Sequence, residues 1–298
     1  MKRILKWIGV TLGSLVALAL VAVGALYLVS GRKLSAKHAI AAEPDLNILS
    51  DSATIARGAH LVHALPCGSC HGQDLGGNIM ADAGLFGLLV APNLTTGRGG
   101  LQPPRTDIEW ERAIRHGVRR DGTSLIVMPS EQFHAISDQD MAPMIAYLKQ
   151  MPAVDREVPA TKVRIIGRVL LGLGQLPLAV DTTPRTPHVA SVDTTPSAAY
   201  GRYLASISGC QGCHGQSFSG GPGFTATSAP VSNITPTGIG HYTEEDFIRA
   251  LRTGTRPGGG AALSEDMPWK FYGNMSDNEL RSIFMFLKTV PPKQFREL

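Results

Sequence analysis

Two pentapeptides, Cys67-Gly-Ser-Cys70-His71 and Cys210-Gln-Gly-Cys213-His214, hold all four cysteines and constrain this chain more than any other feature. Both read C-x-x-C-H, the attachment signature of c-type haem. Two cysteines on one helical turn can form thioethers to the two vinyl groups, while the adjacent histidine reaches the iron from the same side. A zinc site would need four ligands gathered together, and each copy offers two cysteines and one histidine. A redox dithiol has no use for a following histidine in both copies. The sequence therefore calls for two covalently bound haem c groups. Cys67, Cys70, Cys210 and Cys213 are the attachment points, and His71 and His214 the proximal ligands.

The repeat runs well beyond these motifs, as in an internal duplication. Cys-His-Gly-Gln recurs at both sites, followed by Gly76-Gly77 and Gly220-Gly221. Asn93-Leu94-Thr95 matches Asn233-Ile234-Thr235, Met128-Pro129 matches Met267-Pro268, and Ser137-Asp138 matches Ser276-Asp277. The pairs Thr106/Glu109 and Thr243/Asp246 read as capping boxes, as do Ser137/Asp140 and Ser276/Glu279. Behind the latter, Met141, Met144, Ile145 and Leu148 in one copy, and Leu280, Ile283, Phe284 and Leu287 in the other, form one apolar helix face. Pro152 and Pro291 stop these helices. The Gly- and Pro-rich stretches between caps show no strand alternation, so each copy is expected to be helical with long loops.

Met128 and Met267 stand on matched loops just before the last helix of each copy. A thioether there gives a six-coordinate iron with a raised potential. The matched position separates both from gap-filling core methionines. Met80 lies too close to His71 to reach the opposite face, and Met141, Met144, Met275 and Met285 have no matched, loop-borne counterpart. His60 and His63 face Tyr203 and Ser206 in the second copy and read as packing or surface residues. His116, His134 and His241 read as structural or exposed. With both irons closed the chemistry is outer-sphere electron transfer, and no G-x-S-x-G, phosphate loop or strand-borne G-x-G-x-x-G suggests another.

Residues 7–30 carry no charge and are built from Leu, Val, Ala, Gly and Ile. Roughly 20 such residues span a bilayer as a helix. A cleaved signal has a core of about 7–15 residues with a small-residue site soon after it. Here Arg32 and Lys33 follow directly, and the A-x-A at Ala39 to Ala41 lies further on, so the segment reads as an uncleaved anchor, with a cleaved signal as the alternative. Flanking basic residues balance, so orientation comes from the cysteine chemistry: haem c is attached outside the bacterial cytoplasm. The net charge of +4 is concentrated here, since residues 1–37 hold six basic residues and no acid. Residues 38–150 hold 8 basic and 12 acidic residues, and residues 151–298 hold 14 and 12. No basic field exists to attract nucleic acid.

Between the copies, residues 153–196 are rich in Pro and Thr, with Val-Asp-Thr-Thr-Pro at 180–184 and again at 192–196. This reads as a partly extended linker. Its apolar stretch 165–178 is expected to pack against the two haem domains, or else to dock a partner or the membrane surface.

The run C-x-x-C-H-G, G-G, A-P-N-L-T, D-x-x-W/F, M-P and S-D-x-D resembles the cytochrome c subunits of bacterial membrane-bound alcohol, aldehyde and gluconate dehydrogenases. It covers residues 52–152 and 197–292. The resemblance implies His71 and His214 as proximal and Met128 and Met267 as distal ligands. It also implies electron transfer from a flavin- or quinone-cofactor dehydrogenase subunit to ubiquinone or a terminal oxidase. Those subunits usually carry three C-x-x-C-H motifs and a cleaved signal, where this chain has two motifs and an anchor.

The expected fold is mostly α, with two tandem cytochrome-c-like domains after one N-terminal transmembrane helix. The anchor is 1–37, domain one 38–152, the linker 153–196 and domain two 197–298. The expected function is a dihaem electron relay on the outer face of the inner membrane. Its donor would be a membrane or periplasmic dehydrogenase, and its acceptor quinone, a terminal oxidase or another cytochrome. The alternatives are a dihaem peroxidase or related oxidoreductase, a gas-sensing haem protein, and an integral cytochrome subunit of an oxidase.

Overall fold

The computed structural model describes residues 2–40, 46–223 and 228–297. Helix α1 (Lys2–Ser35) is long and apolar enough to cross a membrane, and its apolar window is unburied by the rest of the chain. Then come α2 (Ser52–Ala64), α3 (Cys67–His71), strands β1 (Asn78–Asp82) and β2 (Gly87–Ala91), α4 (Asp107–His116), α5 (Ser130–Phe133) and α6 (Asp138–Leu148). A connecting stretch carries β3 (Lys162–Val163), α7 (Ile165–Gly172) and α8 (Ala179–Thr182). The second repeat has α9 (Ala198–Ile207), α10 (Cys210–His214), α11 (Pro236–Ile239), α12 (Glu244–Thr253), α13 (Trp269–Tyr272) and α14 (Asp277–Thr289).

Local chemistry sets the helix ends. Thr106 Oγ1 accepts from Glu109 N, and Glu109 Oε2 accepts from Thr106 N at 2.8 Å. Thr243 and Asp246 repeat this reciprocal cap on α12. Gly117 and Gly254 end α4 and α12 at φ 64° and 70°, where a Cβ would be strained. The apolar stripes on α6 and α14 are buried as the periodicity predicts, with Met141, Ile145 and Leu280 fully so. Each stripe closes onto the first helix of its own repeat at a glycine. A Cβ on Gly58 would run into the Pro143 carbonyl, and one on Gly201 into that of Ser282. α2 therefore crosses α6, and α9 crosses α14, at near-backbone contact.

Three expectations change. The first repeat does contain strands: β1, β2 and β3 form an antiparallel sheet in that order, with β3 drawn from the connecting segment. Ser137 is the N-cap residue of α6 but makes no side-chain cap bond. Instead its amide donates to Tyr203 Oη at 3.2 Å, and Tyr203 donates to Asp140 at 2.8 Å. The linker's apolar stretch does not pack against both haem domains. The linker folds back on the first repeat, where Arg156 pairs with Asp74 at 2.7 Å, and its helix α7 lies on α1 and the β1–β2 hairpin rather than between two haem domains.

The two repeats meet in one continuous apolar cluster that includes Leu61 and Ile145 from the first and Tyr200 and Leu280 from the second. Its polar lid is built twice over. Arg57 bridges Asp140 at 2.9 Å and Glu279 at 3.1 Å, and the two carboxylate side chains are 1% and 5% exposed. His60 of the first repeat donates to Glu279 of the second at 2.7 Å. Tyr203, which faces His60 in the repeat alignment, donates to Asp140, which faces Glu279. Burial pushes the Glu279 carboxyl up, but the bonds from His60, the Ser276 amide and Arg57 prevail and bring it down to about 2. Burial alone would lower Arg57, but Asp140 and Tyr200 hold its guanidinium above its ordinary value.

Candidate functional site

Each C-x-x-C-H segment forms a single helical turn, α3 or α10, closed by Gly72 at φ 82° or Gly215 at φ 79°. The carbonyls of His71 and His214 accept the amides of Gly77 and Gly220, at 2.8 and 2.9 Å. Between them Leu75 and Phe218 sit at φ 54° and 61°, a left-handed conformation that costs a non-glycine residue about 1–3 kcal/mol. Both side chains are buried and both carbonyls are tied down, to Leu94 N and Ile234 N.

The histidines are held alike. His71 Nδ1 donates to Pro92 O at 2.9 Å and His214 Nδ1 to Ser232 O at 2.7 Å. This fixes the tautomer and leaves Nε2 as the basic atom, without a hydrogen bond among the described residues. Burial pushes both imidazoles below their ordinary value, favouring the neutral ligand form. The N-x-T motifs hold the accepting carbonyls. Asn93 Oδ1 accepts from Thr95 N and Oγ1, while its Nδ2 donates to Val154 O at 2.7 Å. Asn233 does the same for Thr235 and Lys293 O at 2.8 Å. The sequence displayed this motif twice, yet its role as a clamp on the chain leaving each last helix appears only in three dimensions.

No disulfide joins any of the four cysteines. Burial pushes Cys67 and Cys210 up to about 12 and raises Cys70 and Cys213 as well. A thiol–disulfide couple needs the reverse, a thiolate stabilised near neutral pH. Met128 and Met267 sit half-buried against the apolar cluster, as do Cys67 and Cys210. Their carbonyls accept the amides of Ser130 and Trp269, both at 2.8 Å, so both loops turn alike into α5 and α13. Met80 lies exposed on β1, whereas Met141, Met144 and Met275 are core. His134 donates to Thr186 O at 2.8 Å and stands edge-on to His116, a structural role for both.

The residue four places after each methionine crosses to the other repeat. A Cβ on Gly68, inside the first C-x-x-C, would lie 2.6 Å from Phe271 Cε1, and one on Gly212, inside the second, 2.7 Å from Gln132 Nε2. Each attachment turn is thus covered by the methionine loop of its neighbour. Glycine at these two positions is what admits that cover.

A half-buried cation stands by the first site. Arg105 stacks over Trp110 at 5.6 Å and its charge depresses His71. Burial lowers the guanidinium pKa of both Arg105 and Arg119. Arg105 Nε is buried with no hydrogen-bond partner among the described residues, and so is Trp269 Nε1 in the second repeat. Orphaned buried donors beside each candidate ligand set suit an anionic group such as a haem propionate. The donor set therefore fits haem c.

Residues 55–152 match the cytochrome c family model, which marks this segment as a cytochrome c domain and implies a covalently bound haem c. More particularly, the chain is 27% identical over 292 residues to the cytochrome c subunit of alcohol dehydrogenase (quinone) from Komagataeibacter europaeus, covering 87% of this chain and 60% of that one. It is 25% identical over 266 residues to the fructose dehydrogenase cytochrome subunit of Gluconobacter japonicus, at 80% and 53% coverage. It is 28% identical over 280 residues to the gluconate 2-dehydrogenase cytochrome c subunit of Pantoea cypripedii, at 82% and 61%. The chain thus spans less than two thirds of the length of these relatives.

Proposed function

We propose that this chain is a dihaem cytochrome c, anchored in the inner membrane by α1 with its haem domains on the periplasmic face. It would take electrons from a membrane or periplasmic dehydrogenase subunit and pass them toward the respiratory chain. The observation that carries this reading is the duplicated C-x-x-C-H turn, with the histidine Nδ1 bound to a backbone carbonyl in the same way in both repeats. Haem c, when bound, supplies a one-electron iron couple.

The chain's own residues do the rest. Cys67, Cys70, Cys210 and Cys213 fix the macrocycles, and the bonds to Pro92 and Ser232 orient His71 and His214 and raise their basicity. Met128 and Met267 would supply a thioether to each haem iron, which would favour the reduced state. Arg105 and Trp269 would offer their buried donors to the haem propionates. Phe271 and Gln132 keep water from the neighbouring attachment turns and bring the two centres into one packed unit, which suits electron exchange within the chain. The dehydrogenase partner is inferred from the names of the relatives.

Electron paramagnetic resonance of the ferric protein, with carbon monoxide titration of the reduced one, tests this reading. Two low-spin signals and no carbon monoxide binding are expected. A high-spin iron that binds the gas or turns over peroxide would replace it with the dihaem peroxidase.

A further inference from the structure

We propose that the tip of the β1–β2 hairpin and helix α7 form an interfacial foot, seated in the headgroup layer of the bilayer that α1 crosses. The foot rests on the reading of α1 as a membrane anchor and adds to it a second lipid contact, one that sets the height and tilt of the His71 site.

Helix α7 is fastened at both ends. Arg164 N donates to Phe86 O and Ile166 N to Leu85 O, both at 3.1 Å, so the hairpin tip hangs on the start of α7 by main-chain bonds. A Cβ on Gly167 would run into the Phe86 carbonyl. Further along, the Arg168 guanidinium lies 4.8 Å over the ring of Tyr27, and Lys33 Nζ donates to Leu171 O at 3.1 Å. A Cβ on Gly172 would lie 2.7 Å from Leu26 O, so the α7 and α1 backbones meet closely there.

That junction falls at a definite depth. Roughly 20 helical residues cross the apolar core of a bilayer, at about 1.5 Å each. Counted from Trp7, the core ends near Leu26. Tyr27, Arg32, Lys33 and α7 then lie at headgroup level, where tyrosine and snorkelling basic side chains settle.

The apolar surface is concentrated there. Ile79, Leu85 and Phe86 on the hairpin are 51%, 63% and 52% exposed, and Ile165 and Leu173 at the ends of α7 are 50% and 55% exposed. Basic Lys162 and Arg168 lie on the same segment. A cluster of exposed apolar residues marks an interaction surface. Its direct packing on α1 selects lipid as the occupant, with apolar side chains entering on the order of 5–10 Å into the headgroup–acyl boundary. The same sheet carries the effect inward. Strand β2 ends at Ala91, and the next carbonyl, that of Pro92, holds His71.

The test is photo-crosslinking of the full-length holoprotein in vesicles of phosphatidylcholine and phosphatidylglycerol. A benzophenone amino acid replaces Val16, Phe86, Leu173 or Phe295 in separate preparations, each with an unaltered visible spectrum. Lipid adducts at 16, 86 and 173 and none at 295 are expected. Adducts at 16 with none at 86 and 173 would overturn the foot while leaving the anchor. None at 16 would overturn the anchor, and the foot with it. In native membranes, a protein adduct in place of lipid at 86 would also overturn the assignment by naming a partner chain as the occupant.

Discussion

The two repeats build the same histidine clamp and then surround it differently. Both use a left-handed residue after the attachment turn, an N-x-T clamp and a glycine helix crossing. The first adds a sheet, a tail that folds back through β3 and α7, and half-buried Arg105 and Arg119. The second has Tyr242 at the position matching Arg105, and among the described residues its loops carry only isolated bridges such as Gly221 to Val231. Geometry that positions the ligand is thus repeated, while electrostatics and attachments have diverged. The difference gives the first histidine a neighbouring cation, Arg105, whose charge acts on it, where burial and the Ser232 carbonyl alone shift His214.

Several substitutions sharpen or break this contrast. The largest effect is expected at the ligands, where His71→Ala and His214→Ala each remove one of two low-spin signals and spare the other. Loss of both signals from either variant would show that the repeats do not act as separate centres. Next comes Arg57→Ala, which strands two buried carboxylates, Asp140 and Glu279. It should lower unfolding free energy by about 3 kcal/mol in denaturant titration, since removing one partner of a buried pair is costly. An effect under about 0.5 kcal/mol would mean that the repeats do not depend on this bridge.

Acid titration probes the same contact. Glu279 has a folded pKa of about 2 against an ordinary 4.5. Its contribution is therefore fully present above pH 4.5 and is lost as pH falls toward 2. The drop of about 2.5 units corresponds to roughly 3 kcal/mol. Glu279→Gln should flatten the wild-type decline across that window, and an unchanged slope would contradict the assignment.

The attachment turns should differ in tolerance. Gly68→Ala meets the aromatic ring of Phe271 and should cost about 1–3 kcal/mol by overpacking. Gly212→Ala meets the movable end of Gln132 and should cost less than about 1 kcal/mol, so equal costs would show that the crossing is loose. The last effect is electrostatic and leaves stability aside. Arg105→Gln should lower the midpoint potential of the first centre alone, by on the order of 50 mV, about 1 kcal/mol for one electron. A shift in the second centre, or in neither, would remove Arg105 from the first site.

What the sequence made legible was local or periodic. The caps at Thr106, Thr243 and Ser276, the apolar faces of α6 and α14, and the two C-x-x-C-H turns all announce themselves within a few residues. What escaped depends on distant partners. Strand β2 is a short apolar run, Gly87–Ala91, without alternation, and it pairs with Lys162–Val163 from a segment that reads as linker. His60 reads as a packing or surface residue, but its partner, Glu279, lies in the other repeat and could not be named from the sequence. Ser137 carries the signature of a capping box, yet Asp140 is taken by Arg57 and Tyr203, an outcome fixed by packing between repeats.

The most direct test of two equivalent clamps in one chain is haem content. Full-length protein matured in a host that attaches haem c should give two haems per polypeptide in a pyridine haemochrome assay calibrated by amino-acid analysis. One haem per polypeptide would contradict the account, leaving only one of the two repeats as an electron carrier.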